Sequence, residues 1–308
     1  MINSNLRFTT ETMWEIYQKL QSLPPKERIV FEVINPDLES KTFNGEVKKI
    51  GNISYRYRSH KAWIDLAEIL NFQYLTPEKS DFPFIKIHYQ NLDIQNSWHL
   101  KKGSLEERYG TQSLFARINK LEEPNFLAEY TESLQKCSIS KGMRILALGV
   151  NRGDELAIFK DICSPNVYKT LNFVGIDAVE SSILQARKRF SKNHSWIISN
   201  INNWSSWDIG KFDILIAIGV LHSTSLSGKN ILTPLLKKFL HSNSKIVLGF
   251  PNSRYIDGEI KFGAKSKNYK KPEWSLLLKD IGYYRRLLFR QGFNVTVTGK
   301  YYLFITGI

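Results

Sequence analysis

The chain has 308 residues, 42% hydrophobic and 23% charged, as in a globular protein with a sizeable core. The longest apolar run, residues 214–221, is far shorter than the roughly 20 residues of a membrane span, and the N-terminus lacks a secretory apolar segment, so we expect a cytoplasmic protein without membrane segments. The net charge of +14 favours polyanionic partners such as nucleic acid, with a general lysine-rich composition as the alternative.

The first hundred residues predict a small mixed unit of helices and strands. Residues 8–22 carry Thr and Glu ahead of apolar residues at helical spacing, which predicts a capped helix. Strand-like segments follow, with Asn-Gly and Gly-Asn dipeptides where turns are expected, and residues 61–71 return to helical spacing. We therefore place an N-terminal α+β domain at residues 1–110.

Strands and helices alternate regularly in the rest of the chain. A helix broken near Pro124 leads into a series of near-continuous apolar strands separated by helices, which predicts a parallel sheet covered on both faces. The final helix is followed by two strands with only a short turn between them, so the sheet ends in an antiparallel hairpin. Strands are expected at 143–149, 171–176, 195–199, 212–218 and 244–250, and helices at 153–163, 179–190, 229–241 and 273–291.

Two cysteines, Cys137 and Cys163, are too few for a disulfide framework or a zinc site. Both fall on segments with helical periodicity, and we interpret them as buried thiols. No other pattern in the sequence predicts a metal site.

The stretch "ILALGVNRGDEL" ends a strand on Gly149 and opens a helix after Gly153. In doubly wound sheets, ligands bind at the carboxyl ends of the strands, and glycine in the first turn lets a cofactor approach the backbone. Asn151 stands where a dinucleotide-binding loop has its middle glycine, and a side chain there crowds a pyrophosphate. The loop therefore favours a cofactor without phosphates.

Polar residues also end the next two strands. Asp177 follows Gly149 by 28 residues, a position from which a carboxylate can accept hydrogen bonds from both hydroxyls of a ribose. Capping of the following helix is the alternative for Asp177. Asn200 and Ile201 end the third strand, where an amide and an apolar side chain suit an adenine, with an ordinary Asn turn as the alternative.

Taken together, residues 140–308 resemble class I S-adenosylmethionine-dependent methyltransferases. The resembling segments, from the glycine loop to the closing hairpin, are "ILALGVNRGDEL", "VGIDAVESSILQARKRF", "SNINNW", "KFDILIAIGVLH", "KIVLGFPN" and "FNVTVTGKYYLFITG". The resemblance implies an α/β fold with a doubly wound, mostly parallel seven-stranded sheet in residues 111–308, and S-adenosylmethionine as the cofactor. The sequence departs from the family at Ala147, where an acidic residue is usual, and at Asn151, where glycine is usual. Asp154 and Glu155 are the nearby carboxylates that could replace the missing acid.

The resemblance assigns the site residues. Cofactor contacts are expected from Gly149, Val150, Asn151, Gly153, Asp154, Asp177, Ala178, Asn200, Ile201 and Gly219. The acceptor is expected beside the end of the fourth strand, where His222 is the candidate base, with a histidine hydrogen-bonded at a strand end as the alternative. Acceptor contacts are expected from Asn252, Arg254, Tyr255, Lys265 and Tyr269.

Basic and aromatic residues are interleaved in two clusters. The first cluster lies within residues 48–63 and the second within residues 261–274, in a segment long enough to form a lid. Basic side chains bind phosphates and aromatic rings stack on unpaired bases, so RNA is slightly preferred as the acceptor. Solvated strand faces are the alternative for each cluster. The other hypotheses are a small-molecule acceptor, with residues 1–110 as a cap, and a catalytically degenerate fold that binds nucleic acid. The weakest is a nicotinamide dehydrogenase, which would need glycine where Asn151 stands.

Overall fold

The computed structural model describes residues 6–24, 27–95, 103–191, 193–223, 226, 228–263 and 274–308, with the backbone alone for 274–276. The described residues form two compact units. One lies within Met1–Ser97 and Tyr255–Lys261, and the other within Trp98–Arg254 and Phe262–Ile308. A short segment from the second half of the sequence therefore folds with the N-terminal unit. The boundary at residue 110 and the role of the first unit as a cap stay predictions.

The first unit packs two helices on one face of a four-stranded sheet. The sheet has the order β1-β2-β6-β5, in which β1 and β2 are parallel and the other pairs antiparallel, and β3 and β4 form a separate hairpin. Its elements are β1 (Arg7–Phe8), α1 (Met13–Gln21), β2 (Arg28–Ile34), β3 (Val47–Ile50), β4 (Ile53–Arg56), α2 (His60–Ile69), β5 (Phe72–Lys79) and β6 (Phe84–Asn91).

The first helix begins as its sequence predicts. The Thr12 side chain accepts a hydrogen bond from the Glu15 N–H, and the Glu15 carboxylate accepts one from the Thr12 N–H, which is a complete capping box. Ile16 and Leu20 are buried against the sheet, where they pack with residues such as Phe31. The cap fixes the start of the helix, and the apolar spacing fixes the face that it buries.

The second unit is built on a seven-stranded sheet. Its elements are α3 (Leu105–Tyr109), α4 (Pro124–Lys136), β7 (Arg144–Leu148), α5 (Asp154–Ala157), α6 (Phe159–Ile162), α7 (Pro165–Tyr168), β8 (Asn172–Asp177), α8 (Glu180–Arg189), β9 (Ser195–Ile198), β10 (Phe212–Ile218), α9 (Gly228–Phe239), β11 (Leu240–Pro251), β12 (Ser253–Ile256), β13 (Glu259–Phe262), α10 (Trp274–Arg290), β14 (Val295–Gly299) and β15 (Tyr302–Gly307). The last residues of β12 and most of β13 belong to the first unit.

The strand order of this sheet is β14-β15-β11-β10-β7-β8-β9. The five strands from β11 to β9 are parallel, whereas β15 runs antiparallel to both β11 and β14. The last strand of the chain, β15, thus lies between β11 and β14, which are the fifth and sixth strands of this sheet in chain order. The predicted doubly wound sheet with an antiparallel C-terminal hairpin is confirmed.

Both faces of the central strands are buried, which explains why their sequences are apolar throughout. Leu146 and Leu215 are paired in register and face a core that includes α9 and α10, whereas the neighbouring Ala147 and Ile216 face a core that includes α4 and α8. Successive side chains on a strand point to opposite faces, so a strand covered on both sides needs an apolar residue at every position.

Several elements differ from the prediction in detail. The helix expected at 153–163 is two short helices, α5 and α6, and the start of the second is tightened by a hydrogen bond from the Asp161 N–H to the Ile158 carbonyl at 2.9 Å. The helix expected near Pro124 begins on that proline, a favoured first position because proline has no N–H to leave unpaired. None of the described helices combines the length and the apolar character that a membrane crossing requires.

The two cysteines are free thiols. Cys137 ends α4 fully buried, and burial raises its pKa to about 12. Cys163 is partly exposed, and burial also raises its pKa. Both groups keep their protons at neutral pH, which argues against either as a nucleophile. Within the described ranges, no cluster of three or more His, Cys, Asp or Glu side chains is arranged to hold a metal ion.

Candidate functional site

The loop after β7 contains three residues in the left-handed region. Gly149 has φ of 63°, Asn151 of 46° and Gly153 of 76°. This region costs most residues about 1–2 kcal/mol, and asparagine tolerates it best after glycine. Asn151 therefore follows the backbone path expected of a glycine, and the departure from the family pattern at this position does not alter the turn.

Two of these glycines are also required by their neighbours. A Cβ atom on Gly149 would lie 1.9 Å from Cγ2 of Val220, in the loop after β10. A Cβ atom on Gly153 would lie 2.6 Å from the Phe190 ring, which follows α8. The loop after β7 is thus packed closely against the loop after β10 and against the residue that follows α8.

Asp177 ends β8 beside this loop. One carboxylate oxygen accepts a hydrogen bond from the Asn151 N–H at 2.8 Å, and the other accepts one from the Val179 N–H at 2.9 Å. Burial raises the pKa of the Asp177 carboxyl, and hydrogen bonds from backbone N–H groups oppose the rise. Each carboxylate oxygen can accept more than one hydrogen bond, so both retain capacity for ribose hydroxyls. The N-cap of α8 is Val179, so Asp177 does not cap that helix itself.

The two carboxylates proposed to replace the acid missing at Ala147 are both paired with cations. Asp154 contacts Arg152 at 2.8 Å and also contacts Arg189. Glu155 forms an ion pair with Lys120 at 2.7 Å, in which both side chains are largely buried. Each of these two carboxylates thus has a cationic partner, whereas the hydrogen bonds described for Asp177 come from backbone N–H groups.

The third strand ends on an asparagine turn. Asn200 is exposed, and its side-chain oxygen accepts a hydrogen bond from the Asn202 N–H at 2.9 Å, which caps a short 3-10 helix at Ile201–Ser206. Ile201 is partly buried and packs against the core. The turn considered as an alternative is therefore present, and an adenine contact by these residues stays a prediction.

At the end of β10, Gly219 adopts φ of 70°, and a Cβ atom there would lie 2.6 Å from the Tyr302 hydroxyl. His222, three residues on, is exposed to solvent, yet burial lowers its pKa to about 4, with the positive charge of Lys120 as a further cause. At neutral pH, His222 is unprotonated and a weak base.

Four side chains lie together beside the end of β10, which is the fourth strand of this sheet in chain order. We name them the strand-4 cluster; they are Lys120, Glu155, His222 and Tyr302. The Lys120 ammonium lies 5.5 Å from the centroid of the Tyr302 ring. Burial raises the pKa of Tyr302, so its phenol keeps its proton at neutral pH. Of this cluster, only His222 was expected beside the acceptor. The others come from distant parts of the chain, and no local pattern marks Lys120 or Tyr302.

The structure describes three of the five expected acceptor residues, Asn252, Arg254 and Tyr255. Asn252 is 3% exposed and donates a hydrogen bond to the Lys300 carbonyl at 2.8 Å, which ties the end of β11 to the closing hairpin. This burial corrects the expectation that Asn252 contacts an acceptor. Arg254 donates to the Gly263 carbonyl at 3.1 Å, and Tyr255 belongs to the first unit. Lys265 and Tyr269 lie outside the described residues.

Burial also corrects part of the two basic clusters. In the first cluster, Tyr55, Arg58 and Trp63 are all buried, and the Arg58 guanidinium donates to the Glu11 carbonyl. The buried rings of Tyr55 and Trp63 are part of the core of the first unit and cannot stack on a base in this structure. In the second cluster, Lys261 is buried, and its ammonium donates to the Asn71 side chain at 2.6 Å. RNA binding by the remaining basic residues stays a prediction.

No family model and no curated protein matches the sequence. Among solved structures, a SAM-dependent methyltransferase from Aquifex aeolicus is 19% identical, with a TM-score of 0.43, over 62% of this chain and 96% of its own. A complex of the Haloferax volcanii Trm112 methyltransferase activator with a putative methyltransferase matches at 11% identity and a TM-score of 0.46, over 68% of this chain and 99% of that one. The CurJ carbon methyltransferase matches at 13% identity and a TM-score of 0.48, over 80% and 78%. Likeness at this level is not evidence of a shared activity.

The order of the strands identifies the fold independently of these comparisons. Parallel strands on both sides of β7 put the loops after β7, β8 and β10 at one edge of the sheet. The final strand reverses direction between β11 and β14. With this strand order and its reversed last strand, the second unit has the class I methyltransferase fold.

Proposed function

We propose that this protein is a methyltransferase that uses S-adenosylmethionine, bound across the carboxyl ends of β7 and β8. One observation carries the proposal. The Asp177 carboxylate is held by two backbone N–H groups beside a left-handed loop whose first residue, Gly149, has no side chain. This arrangement suits a ligand with two vicinal hydroxyls and no phosphate. It also meets the general rule for ligand position in doubly wound sheets.

The chemistry asks little of the protein beyond position. When bound, S-adenosylmethionine supplies an electrophilic methyl group. The residues of this chain must hold the acceptor in line and keep water away, and such positioning can contribute several kcal/mol to the rate. His222 is unprotonated at neutral pH and exposed to solvent at the end of β10, so it is the side chain that we expect to accept a proton from an acceptor that loses one.

Calorimetric titration with S-adenosylhomocysteine tests the proposal. We expect saturable binding with a dissociation constant in the micromolar range. Absence of binding at millimolar ligand would contradict the proposal and favour the catalytically degenerate alternative. ATP and NAD are suitable control ligands. Both carry phosphates, and the Asn151 side chain occupies the place where a dinucleotide-binding loop has a glycine that lets the phosphates approach the backbone.

For the acceptor, we favour a small molecule over RNA. Burial of Tyr55 and Trp63 removes the strongest candidates for base stacking from the first basic cluster, and burial of Lys261 removes a phosphate contact from the second. RNA remains the second candidate because the net charge is +14. RNA affinity should fall steeply with salt through counterion release, whereas methylation of a small neutral acceptor should not depend strongly on salt.

A further inference from the structure

The segment before α4 is docked on the candidate cofactor site. We name residues 104–120 the strap. It begins with α3, which has a complete capping box between Ser104 and Glu107, and continues into a short 3-10 helix at Phe115–Arg117. The Tyr109 and Phe115 rings pack edge to face, with centroids 5.3 Å apart. The strap is therefore an ordered structure with its own internal contacts.

One end of the strap is held by the cofactor loop and by α8. The Asn151 side-chain amide donates a hydrogen bond to the Tyr109 carbonyl at 3.2 Å, and the Ser182 hydroxyl donates to the same carbonyl at 3.4 Å. The Thr111 N–H donates to the Ser181 hydroxyl at 3.1 Å. The Asn151 side-chain oxygen accepts from the Arg152 N–H at 2.9 Å, which leaves the amide nitrogen facing the strap.

The other end of the strap is held by the strand-4 cluster. Lys120 forms the buried ion pair with Glu155 and lies over the Tyr302 ring. It also lies 5.8 Å from the Phe115 ring. The two anchors are thus beside Asp177 at one end and beside the end of β10 at the other. These are the two places between which the proposed cofactor would extend.

We propose that the strap is a wall of the cofactor pocket and that Asn151 is the positioning residue that docks it. This inference rests on the proposed function. It gives a physical reason for asparagine where the family has glycine. Asparagine tolerates the left-handed backbone, its N–H holds Asp177, and its side chain holds Tyr109, a contact that glycine cannot make.

The test is the substitution Asn151→Gly, which installs the residue usual in the family. Glycine adopts φ of 46° without strain, so the loop keeps its path and only the side-chain contact is lost. We expect affinity for S-adenosylhomocysteine to fall about 3- to 10-fold, the effect of one neutral hydrogen bond. Ser182→Ala should show a smaller loss, because its hydrogen bond is longer.

Limited trypsin digestion distinguishes docking of the strap from general destabilisation. Arg117 is an exposed trypsin site in the strap. In the wild type, saturating S-adenosylhomocysteine should slow cleavage there. In Asn151→Gly, the saturated protein should still be cleaved almost as fast as the free protein. If Asn151→Gly binds as tightly as the wild type, or is protected as fully, the strap inference is wrong while the proposed function stands. If the wild type itself does not bind the ligand, both fail.

Discussion

The two ends of the candidate site differ in how they are built and in their charge. At the end of β8, the Asp177 carboxylate is held by two backbone N–H groups. One belongs to Asn151 in the cofactor loop, and the other belongs to Val179, two residues after Asp177. At the end of β10, the strand-4 cluster combines a cation, Lys120, with a neutral histidine and a neutral phenol.

This difference has a chemical consequence. The first end presents hydrogen-bond acceptors to hydroxyl groups, and the second holds a cation, Lys120, that is paired with Glu155. The comparison predicts that substitutions at the two ends affect different measurements, ligand affinity at the first and pH dependence at the second.

The largest effect should come from Asp177→Ala. Loss of the carboxylate removes the acceptor for both ribose hydroxyls and releases the Asn151 N–H from its partner. We expect affinity for S-adenosylhomocysteine to fall by more than about 100-fold, since hydrogen bonds to charged groups contribute about 1.5–3 kcal/mol each. Calorimetric titration measures it.

Asp154→Ala is the matched control for that substitution. Asp154 lies in the same loop region, but its carboxylate is paired with Arg152 and Arg189. We expect a change in affinity of less than about 3-fold, because a partly exposed ion pair contributes little. Equal losses in the two variants would show that Asp177 has no special role at this end of the site.

The packing between the loop after β7 and the loop after β10 should be sensitive to Gly149→Ala. The substitution places a Cβ atom in a left-handed backbone, at 1.9 Å from the Val220 side chain. Backbone strain of about 1–2 kcal/mol and overpacking of a similar size should lower the free energy of unfolding by about 3 kcal/mol, measured by urea denaturation.

Gly142→Ala separates the two causes. Gly142 also has a left-handed backbone, with φ of 77°, but a Cβ atom there meets nothing within 4 Å. It should lose only the backbone part, about 1–2 kcal/mol. The double variant Gly149→Ala, Val220→Ala should recover the packing part. A Gly149→Ala protein no less stable than Gly142→Ala would mean that the loops do not pack as described.

The contrast between the ends also explains how much of the site could be predicted from the sequence. Gly149 and Asp177 lie at strand ends and Gly153 at the start of α5, and the strands are recognisable because residues buried on both faces are apolar at every position. Local pattern is therefore enough to place them at one edge of the sheet. The structure confirms the mostly parallel seven-stranded sheet and its antiparallel C-terminal hairpin.

The rest depends on contacts between residues that are distant in sequence. Lys120 reaches Glu155, and Tyr302 from the last strand reaches Gly219, only because the sheet brings four segments together. Burial is equally nonlocal. Lys261 lies in a stretch of lysines that reads as a solvated surface, yet it is buried with the first unit. No periodicity in the sequence marks Lys261 as a buried residue.

The smallest effect, and the one specific to the end of β10, is the titration of His222. Its pKa in the folded protein is about 4, below the usual 6.5. Between these values the unfolded chain binds the proton and the folded protein does not. The contribution of His222 to stability is therefore fully present above about pH 6.5 and is lost as the pH falls toward 4. His222→Gln should remove this part of the pH dependence of unfolding.

The same pKa fixes the pH dependence of catalysis if His222 accepts the proton. The rate should show no inflection near pH 6.5, because the imidazole is already unprotonated there. Nuclear magnetic resonance of the histidine ring protons measures the pKa directly. Lys120→Met should raise the pKa of His222, since the positive charge of Lys120 is one of the causes of its low value. Lys160→Met, at an exposed position of α6, is the control and should leave the pKa of His222 unchanged. A His222 pKa near 6.5 in the wild type would show that neither burial nor the Lys120 charge acts on the ring as described.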